Sequence, residues 1–133
     1  MNYYLDTNIC VPFLRGWRFD LLRIFLSHDL DAIKIPAMVS AELVYGAYKS
    51  ANPEKSMRQV ERFLEMFEIV PFDALAAIHY GKIRAALEKQ GQTIGPNDLV
   101  IAALVMSQSG ILVTNNTREF SRIKDIPLED WTA

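Results

Sequence analysis

The sequence is poor in residues that support several kinds of site. It has one cysteine, Cys10, so it can form neither an internal disulfide nor a cysteine-rich zinc site. Cys10 stands in an apolar stretch, and we expect it to be a buried, inert thiol. Only two histidines are present, His28 and His79, and we expect both to be structural or exposed.

Long apolar runs and a strong charge of either sign are also missing. No run approaches the roughly 18 to 20 apolar residues that span a bilayer, and no hydrophobic segment precedes Asp6 that could serve as a signal peptide. We therefore expect a cytoplasmic protein. The formal net charge is only -2, whereas nucleic-acid binding usually shows as a strongly basic composition. Acids clustered at one site can hide a local basic rim in the net charge, so the class of nucleic-acid-binding proteins stays open.

What the sequence does contain is a regular alternation of strand-like and helical segments. Its 133 residues, half of them apolar, predict one domain, 1–133, with a substantial core. The alternation predicts an α/β fold around a mainly parallel sheet of four to five strands. Ser40 is predicted to cap the helix that carries Glu42, and Asn97 is a candidate cap for an apolar helix over 99–106. Predicted strands cover 3–5, 32–35, 69–72 and 111–114, with a last one after Pro127.

Acidic and amide side chains follow several of these elements. Asp6 ends the first strand, Glu42 and Asp98 are predicted in the first turns of helices, and Asn116 and Glu119 follow the fourth strand. Because strand carboxyl ends and the next helix N-termini share one edge of a parallel sheet, we expect them to converge. Any one of them could be an ordinary first-turn or capping residue. Together they indicate a site for Mg²⁺ or Mn²⁺, since clustered carboxylates repel one another and hard oxygens suit these ions.

Five segments together carry a resemblance that covers essentially the whole chain in order. They resemble the PIN-domain ribonucleases, and among these the VapC-type toxins of bacterial type II toxin–antitoxin (VapBC) systems. Each segment alone is weak, whereas the set is specific. The segments are Leu5-Asp6-Thr7-Asn8, Ser40-Ala41-Glu42-Leu43 with Gly46, Gly95-Pro96-Asn97-Asp98, Val113 to Phe120, and Leu128-Glu129-Asp130-Trp131.

The resemblance implies a three-layer α/β/α sandwich around a Rossmann-like sheet. It also implies a Mg²⁺- or Mn²⁺-dependent endoribonuclease that cleaves structured RNA and blocks translation. The subgroup points by analogy to transfer RNA, with the initiator species as one candidate. A VapB-type antitoxin would silence the enzyme, and the toxin would form a homodimer within a larger assembly.

By motif position, the resemblance assigns catalytic acids to Asp6, Glu42 and Asp98, with Asp6 and Asp98 as metal ligands. Many PIN domains have an aspartate where this chain has Asn116, while Glu119 matches the acid of the VapC subgroup. Which of the two serves as the fourth acid is left open. Three polar neighbours are expected to orient the carboxylates or metal waters: Thr7, Asn8 and Thr114.

Two arginines and one apolar segment are candidates for contacts with other molecules. Arg118 and Arg122 follow the fourth strand and are expected to hold RNA phosphates beside the acids. An apolar segment near the N-terminus is expected to stay partly exposed and to receive an antitoxin helix or a second copy of the chain. Its members are Ile9, Val11, Phe13, Leu14 and Trp17.

Other classes of protein also place an acid after a first strand. Haloacid-dehalogenase-type phosphatases need a second aspartate two residues on, where this chain has Asn8. Response-regulator receivers need a phospho-acceptor after the third strand, and Phe72-Asp73 matches that arrangement poorly. The alternative that stays open is a catalytically silent PIN-like module that binds protein or nucleic acid.

Overall fold

A computed structural model describes residues 1–16 and 19–132 of the chain. Its described strands form one sheet in the order β3-β2-β1-β4-β5. Every neighbouring pair is parallel, which confirms the predicted α/β class. The strands are β1 (Tyr3–Leu5), β2 (Ile33–Pro36), β3 (Glu68–Val70), β4 (Ile111–Val113) and β5 (Leu128–Glu129).

Helices connect consecutive strands and cover both faces of the sheet. Right-handed crossovers place the connections from β1 through β3 on one face and the return from β3 to β4 on the other. The result is the expected α/β/α sandwich. The helices are α1 (Thr7–Leu14), α2 (Phe19–Leu26), α3 (Ala37–Lys49), α4 (Pro53–Leu64), α5 (Ala74–Lys89), α6 (Pro96–Ser107) and α7 (Thr117–Phe120), with a 3-10 turn at Leu30–Ala32.

The core lies against both faces of the sheet, which explains why the central strands β1 and β4 are apolar along their whole length rather than alternating. Leu5, Ile35 and Leu112 are fully buried. Helix α6 is covered on most sides, because residues 101–105 are each at most 1% exposed. Among the described helices, none has the combination of length and apolarity that crossing a membrane requires.

Two predicted helix starts are wrong. Helix α3 begins at Ala37, directly after β2, and Ser40 lies inside it with its hydroxyl donating to the Ala37 carbonyl at 2.7 Å. Glu42 therefore lies in the second turn of α3 rather than the first. Helix α6 begins at Pro96 with Gly95 as its N-cap, so Asn97 is not the cap. Proline suits a first helical position because no hydrogen bond needs its missing N–H there.

Candidate active site

Asp6 follows the central strand β1 and is only 4% exposed. Its Oδ1 accepts a hydrogen bond from the Thr7 backbone N–H at 2.8 Å. Its Oδ2 accepts from the Thr114 hydroxyl at 2.8 Å and from the Asn8 amide at 3.2 Å. Burial raises the pKa of Asp6, while the bonds from Thr114 and Thr7 lower it. The carboxylate is therefore buried, but donors hold it in one orientation.

Thr114 joins the ends of β1 and β4 at this point. Besides donating to Asp6, its hydroxyl oxygen accepts from the Asn8 amide at 3.3 Å and from the Asn116 backbone N–H at 3.0 Å. Asn8 in turn accepts from the backbone N–H of Asn115 at 3.2 Å. Thr114 and Asn8, two of the residues expected to orient the carboxylates, thus contact Asp6 directly.

Thr7 connects Asp6 to a second acid. Its hydroxyl donates to Glu42 Oε1 at 2.8 Å, while its backbone N–H bonds Asp6. Glu42 reaches this position from the second turn of α3, so the convergence of the acids does not require it to be a first-turn residue. One residue at the start of α1 thereby orients two carboxylates from different elements.

Asp98 lies in the first turn of α6 and is partly buried. Its pKa is raised to about 6, first by burial and then by the negative charges of Asp6, Glu119 and Glu42. Within the described part of the chain, no hydrogen bond reaches its carboxylate, in contrast to Asp6. Because charges raise one another's pKa only at short range, four acids from four segments share one site.

Two side chains are candidates for the role of the fourth acid: the carboxylate of Glu119 and the amide of Asn116. Glu119 accepts from the Gly95 backbone N–H at 3.2 Å and from the Asn116 side-chain amide at 3.0 Å. These bonds lower the pKa of Glu119, with a smaller contribution from Arg122. Asn116 therefore donates to Glu119 and brings no charge of its own. The Gly95 contact was missed by sequence reasoning, since a backbone donor leaves no signal in the residue types.

The donor chemistry of the site fits a hard divalent cation. Its ligands would be carboxylate oxygens, and Asp98 offers one that no donor in the described residues occupies. A cation there would offset the mutual repulsion of the acids. Among the residues described, however, no three Asp, Glu, His or Cys side chains lie close enough to hold a metal ion unaided. Water would have to complete the coordination, as is usual for Mg²⁺.

Of the two candidate arginines, Arg122 lies near the acids, and Arg118 lies on the helix that carries Glu119. Arg122 donates from Nη1 to the Thr93 carbonyl at 2.9 Å, which holds its guanidinium close to Glu119. Arg118 is exposed on α7, the short helix that also carries Glu119. Contacts of these arginines with RNA phosphates stay a prediction.

The expected apolar surface is only partly present. Ile9 is fully buried, so its assignment to a partner surface is wrong: this side of α1 faces the core. Val11 and Leu14 instead line a groove of about 530 Å³ between α1, α3 and α4, which Thr7 and Glu42 also line. Phe13 is half-buried and lines an adjacent hollow with Leu14. Trp17 lies outside the described residues.

A parallel α/β/α sheet with an acidic site at its carboxyl edge is the arrangement expected of the PIN class, and a PIN domain family model matches residues 3–126. The chain belongs to the PIN-domain family. Within that family it is 38% identical over 132 residues to the tRNA(fMet)-specific endonuclease VapC of Shigella flexneri, covering 99% of each chain. It is 39% identical to Ribonuclease VapC2 of Rickettsia felis, covering 98% of each.

Solved structures give the same relationship. The chain superimposes on a chain of the DNA-bound VapBC structure from Salmonella typhimurium with a TM-score of 0.94, at 38% identity and 98% coverage of each chain. For VapBC2 from Rickettsia felis, bound to a DNA fragment of its promoter, the TM-score is 0.90, again at 38% identity, with 98% and 99% of the two chains covered.

Proposed function

We propose that this chain is an endoribonuclease toxin of the VapC type, which cleaves structured RNA and is neutralised by a cognate antitoxin. The observation that carries the proposal is the convergence of four acids. Thr7 bonds both Asp6 and Glu42, and Gly95, the N-cap of the helix that carries Asp98, bonds Glu119. Full-length relatives named as ribonucleases support it.

The substrate we propose is transfer RNA, with the initiator species as the first candidate. Relatives from Shigella flexneri and Salmonella typhimurium, each 38% identical to the chain, are named tRNA(fMet)-specific endonucleases. Cleavage of initiator transfer RNA would stop translation at its first step, which accounts for toxicity.

Asp6 and Asp98 are the residues that would hold Mg²⁺ or Mn²⁺. When bound, the ion would activate water for attack on the phosphate and stabilise the charge that develops there. The chain's own residues supply the geometry. Thr7, Asn8 and Thr114 fix the Asp6 carboxylate, and Thr7 also fixes Glu42.

We assign the role of the fourth acid to Glu119 and a positioning role to Asn116. Glu119 carries the charge, and its negative field reaches Asp98. Asn116 holds one of its carboxylate oxygens, and Gly95 holds the other. Asn116 donates its amide N–H to Glu119, so it contributes orientation rather than charge.

The partner we propose is a VapB-type antitoxin that inserts an apolar segment into the groove between α1, α3 and α4. Solved VapBC complexes from Salmonella typhimurium and Rickettsia felis support such a partner. The groove has apolar walls that include Val11 and Leu14, and Glu42 also lines it. A basic residue of the antitoxin could therefore reach the acidic site. A homodimer of the toxin within that assembly is part of the same proposal.

The decisive experiment treats transfer RNA with the purified chain and sequences the cleaved ends. We expect one dominant cut that EDTA abolishes and Mn²⁺ restores, and that Asp98→Asn removes without loss of folding. Asparagine keeps the size of Asp98 and deletes its charge. Wild-type cleavage in EDTA, or by folded Asp98→Asn, would overturn the mechanism. A folded wild-type chain that cuts no RNA with Mn²⁺ present would favour the catalytically silent module.

A further inference from the structure

A second depression, separate from the apolar groove, lies between α5 and the segment that follows α7. It has a volume of about 230 Å³ and a partly apolar floor that includes Ile83 and Met106. Its described lining residues include no aspartate or glutamate. We call it the basic cleft, because its lining includes three cationic side chains and a histidine: Lys82, Arg122, Lys124 and His79.

Two of the three cations of the basic cleft form no ion pair within the described residues, whereas the charge of Arg122 acts on the nearby Glu119. Elsewhere, Lys34 pairs with Glu68 at 2.8 Å, and Arg84 pairs with Glu88 at 3.1 Å. Neither Lys82 nor Lys124 has an ion pair within the described residues. Like charges gathered in a concave surface focus a positive potential even when the molecule carries a net charge of -2. The basic cleft is therefore suited to a polyanion.

Arg122 connects the basic cleft to the acidic site. Arg122 lines the cleft, and its guanidinium donates to the Thr93 carbonyl at 2.9 Å. Gly95, two residues after Thr93, donates its backbone N–H to Glu119 at 3.2 Å. A chain of phosphates that passes the acids can thus continue past Arg122 towards Lys82 and Lys124. The apolar groove offers no comparable path, since Arg15 is the one cation among its described lining residues.

We propose that the basic cleft binds the phosphodiester backbone of the RNA substrate on one side of the bond that is cut. This inference rests on the proposed ribonuclease function and adds the route of the substrate. The described lining has no aromatic ring apart from His79 on which a base could stack. Binding there is through phosphates and independent of sequence, which is the usual division between contacts that position and contacts that specify.

The test measures RNA affinity without cleavage. The dissociation constant of the Asp98→Asn chain for transfer RNA is determined in EDTA over a range of KCl concentrations. The cleft variant adds Lys82→Glu and Lys124→Glu. A matched control adds Lys55→Glu and Arg58→Glu, which make the same charge change on the exposed face of α4. A third variant, with Lys82→Arg and Lys124→Arg, keeps the charges of the cleft.

We expect the cleft variant to bind at least about tenfold more weakly at low salt. The slope of log K against log salt should also become smaller in magnitude by between about one and two, since each phosphate contact contributes about 0.7 to 0.9 to it. The control variant should change affinity less than about threefold. The arginine variant should bind like the parent, which is the Asp98→Asn chain without further changes. Equal weakening by the cleft and control variants, or no weakening by either, would overturn the proposal.

The outcome can be separated from that of the proposed function. If the wild-type chain cuts transfer RNA while the cleft variant binds it normally, the function stands and the cleft proposal fails. If the parent binds RNA through the cleft but the wild-type chain cuts no RNA with Mn²⁺, the cleft proposal stands and the ribonuclease function fails.

Discussion

Asp98 is a carboxylate whose ionised form the fold disfavours when no cation is present. Its pKa of about 6 lies above the ordinary value of 3.8 because burial and the charges of Asp6, Glu119 and Glu42 oppose ionisation. When the pKa of an acid is higher in the folded than in the unfolded state, its contribution to stability is fully present below the unfolded pKa. That contribution is lost as the pH rises through the folded pKa. Metal-free protein should therefore lose stability at this residue between about pH 4 and pH 7.

Asp98→Asn isolates this effect, because asparagine cannot ionise. In EDTA at pH 7, we expect the variant to be about 1 to 3 kcal/mol more stable than the wild-type chain. The difference should vanish below about pH 3, where Asp98 is protonated in both states. Urea unfolding at several pH values measures it, and Mn²⁺ should reverse the order at pH 7. Equal stability of the two chains at pH 7 in EDTA would show that neither burial nor the neighbouring acids disfavour the ionised form of Asp98 in solution.

Glu119 and Asn116 differ in what they contribute, and substitution separates them. Glu119→Gln keeps an oxygen for the Gly95 N–H but removes the charge, so we expect the cleavage rate to fall by about tenfold or more, a loss of about 1.4 kcal/mol in the transition state. Asn116→Ala keeps the charge and removes one orienting bond, so its effect should be smaller. Single-turnover cleavage of transfer RNA at fixed Mn²⁺ gives both rates. A wild-type rate for Glu119→Gln would make Asn116 the better candidate.

Residue type and spacing were enough to predict which acids meet, but not how each is held. Asp6, Asp98 and Glu119 could be placed because parallel topology sends strand ends and helix starts to one edge. The bonds from Gly95 to Glu119 and from Arg122 to the Thr93 carbonyl use backbone groups, which every residue possesses. No residue pattern distinguishes these backbone groups from others.

Among the secondary-structure elements, the strands were more predictable than the helix starts or the face of α1 that meets the core. Helix α3 begins after Pro36 with no side-chain cap, so Ser40 was a false signal. Helix α6 begins at Pro96, where the preference of proline for a first turn was the better guide. On α1, Ile9 faces the core while Val11 and Leu14 line the groove, a division that an apolar helix does not reveal until its neighbours are known.

The start of β4 depends on a close approach that only glycine allows. A Cβ on Gly110 would overlap the ring of Tyr4, which is 1% exposed and cannot move aside. We expect Gly110→Ala to destabilise the chain by about 1 to 3 kcal/mol, as overpacking of a core does. Gly81→Ala is the control, because no atom of another described residue lies within 4 Å of its Cβ position in α5. It should stabilise by up to about 1 kcal/mol through helix propensity. Thermal unfolding compares the two, and equal effects would refute the close contact.

At the scale of the whole molecule, two surface features lead to the acidic site from different directions. The apolar groove reaches Thr7 and Glu42 from the side of α1, α3 and α4. The basic cleft reaches the neighbourhood of Glu119 from the side of α5, through Arg122. An antitoxin in the groove and an RNA in the cleft would therefore compete at the acids themselves, while most of their other contacts stay separate. Inhibition and substrate binding should accordingly respond to different substitutions.

Substitutions in the groove test this separation. Val11→Ala with Leu14→Ala removes apolar contact area from the groove wall, and both side chains are partly exposed, so the fold should survive. We expect antitoxin affinity to fall by at least about tenfold, the loss typical of truncating buried anchors, while the RNase rate of the free chain stays within about twofold of wild type.

Leu26→Ala is the control, since this side chain on α2 is 68% exposed and lies outside the groove. Calorimetry with the antitoxin and a cleavage assay give the two numbers. Unchanged affinity in the folded double variant would mean that the antitoxin binds another surface, and the basic cleft would then be the next region to examine for its contacts.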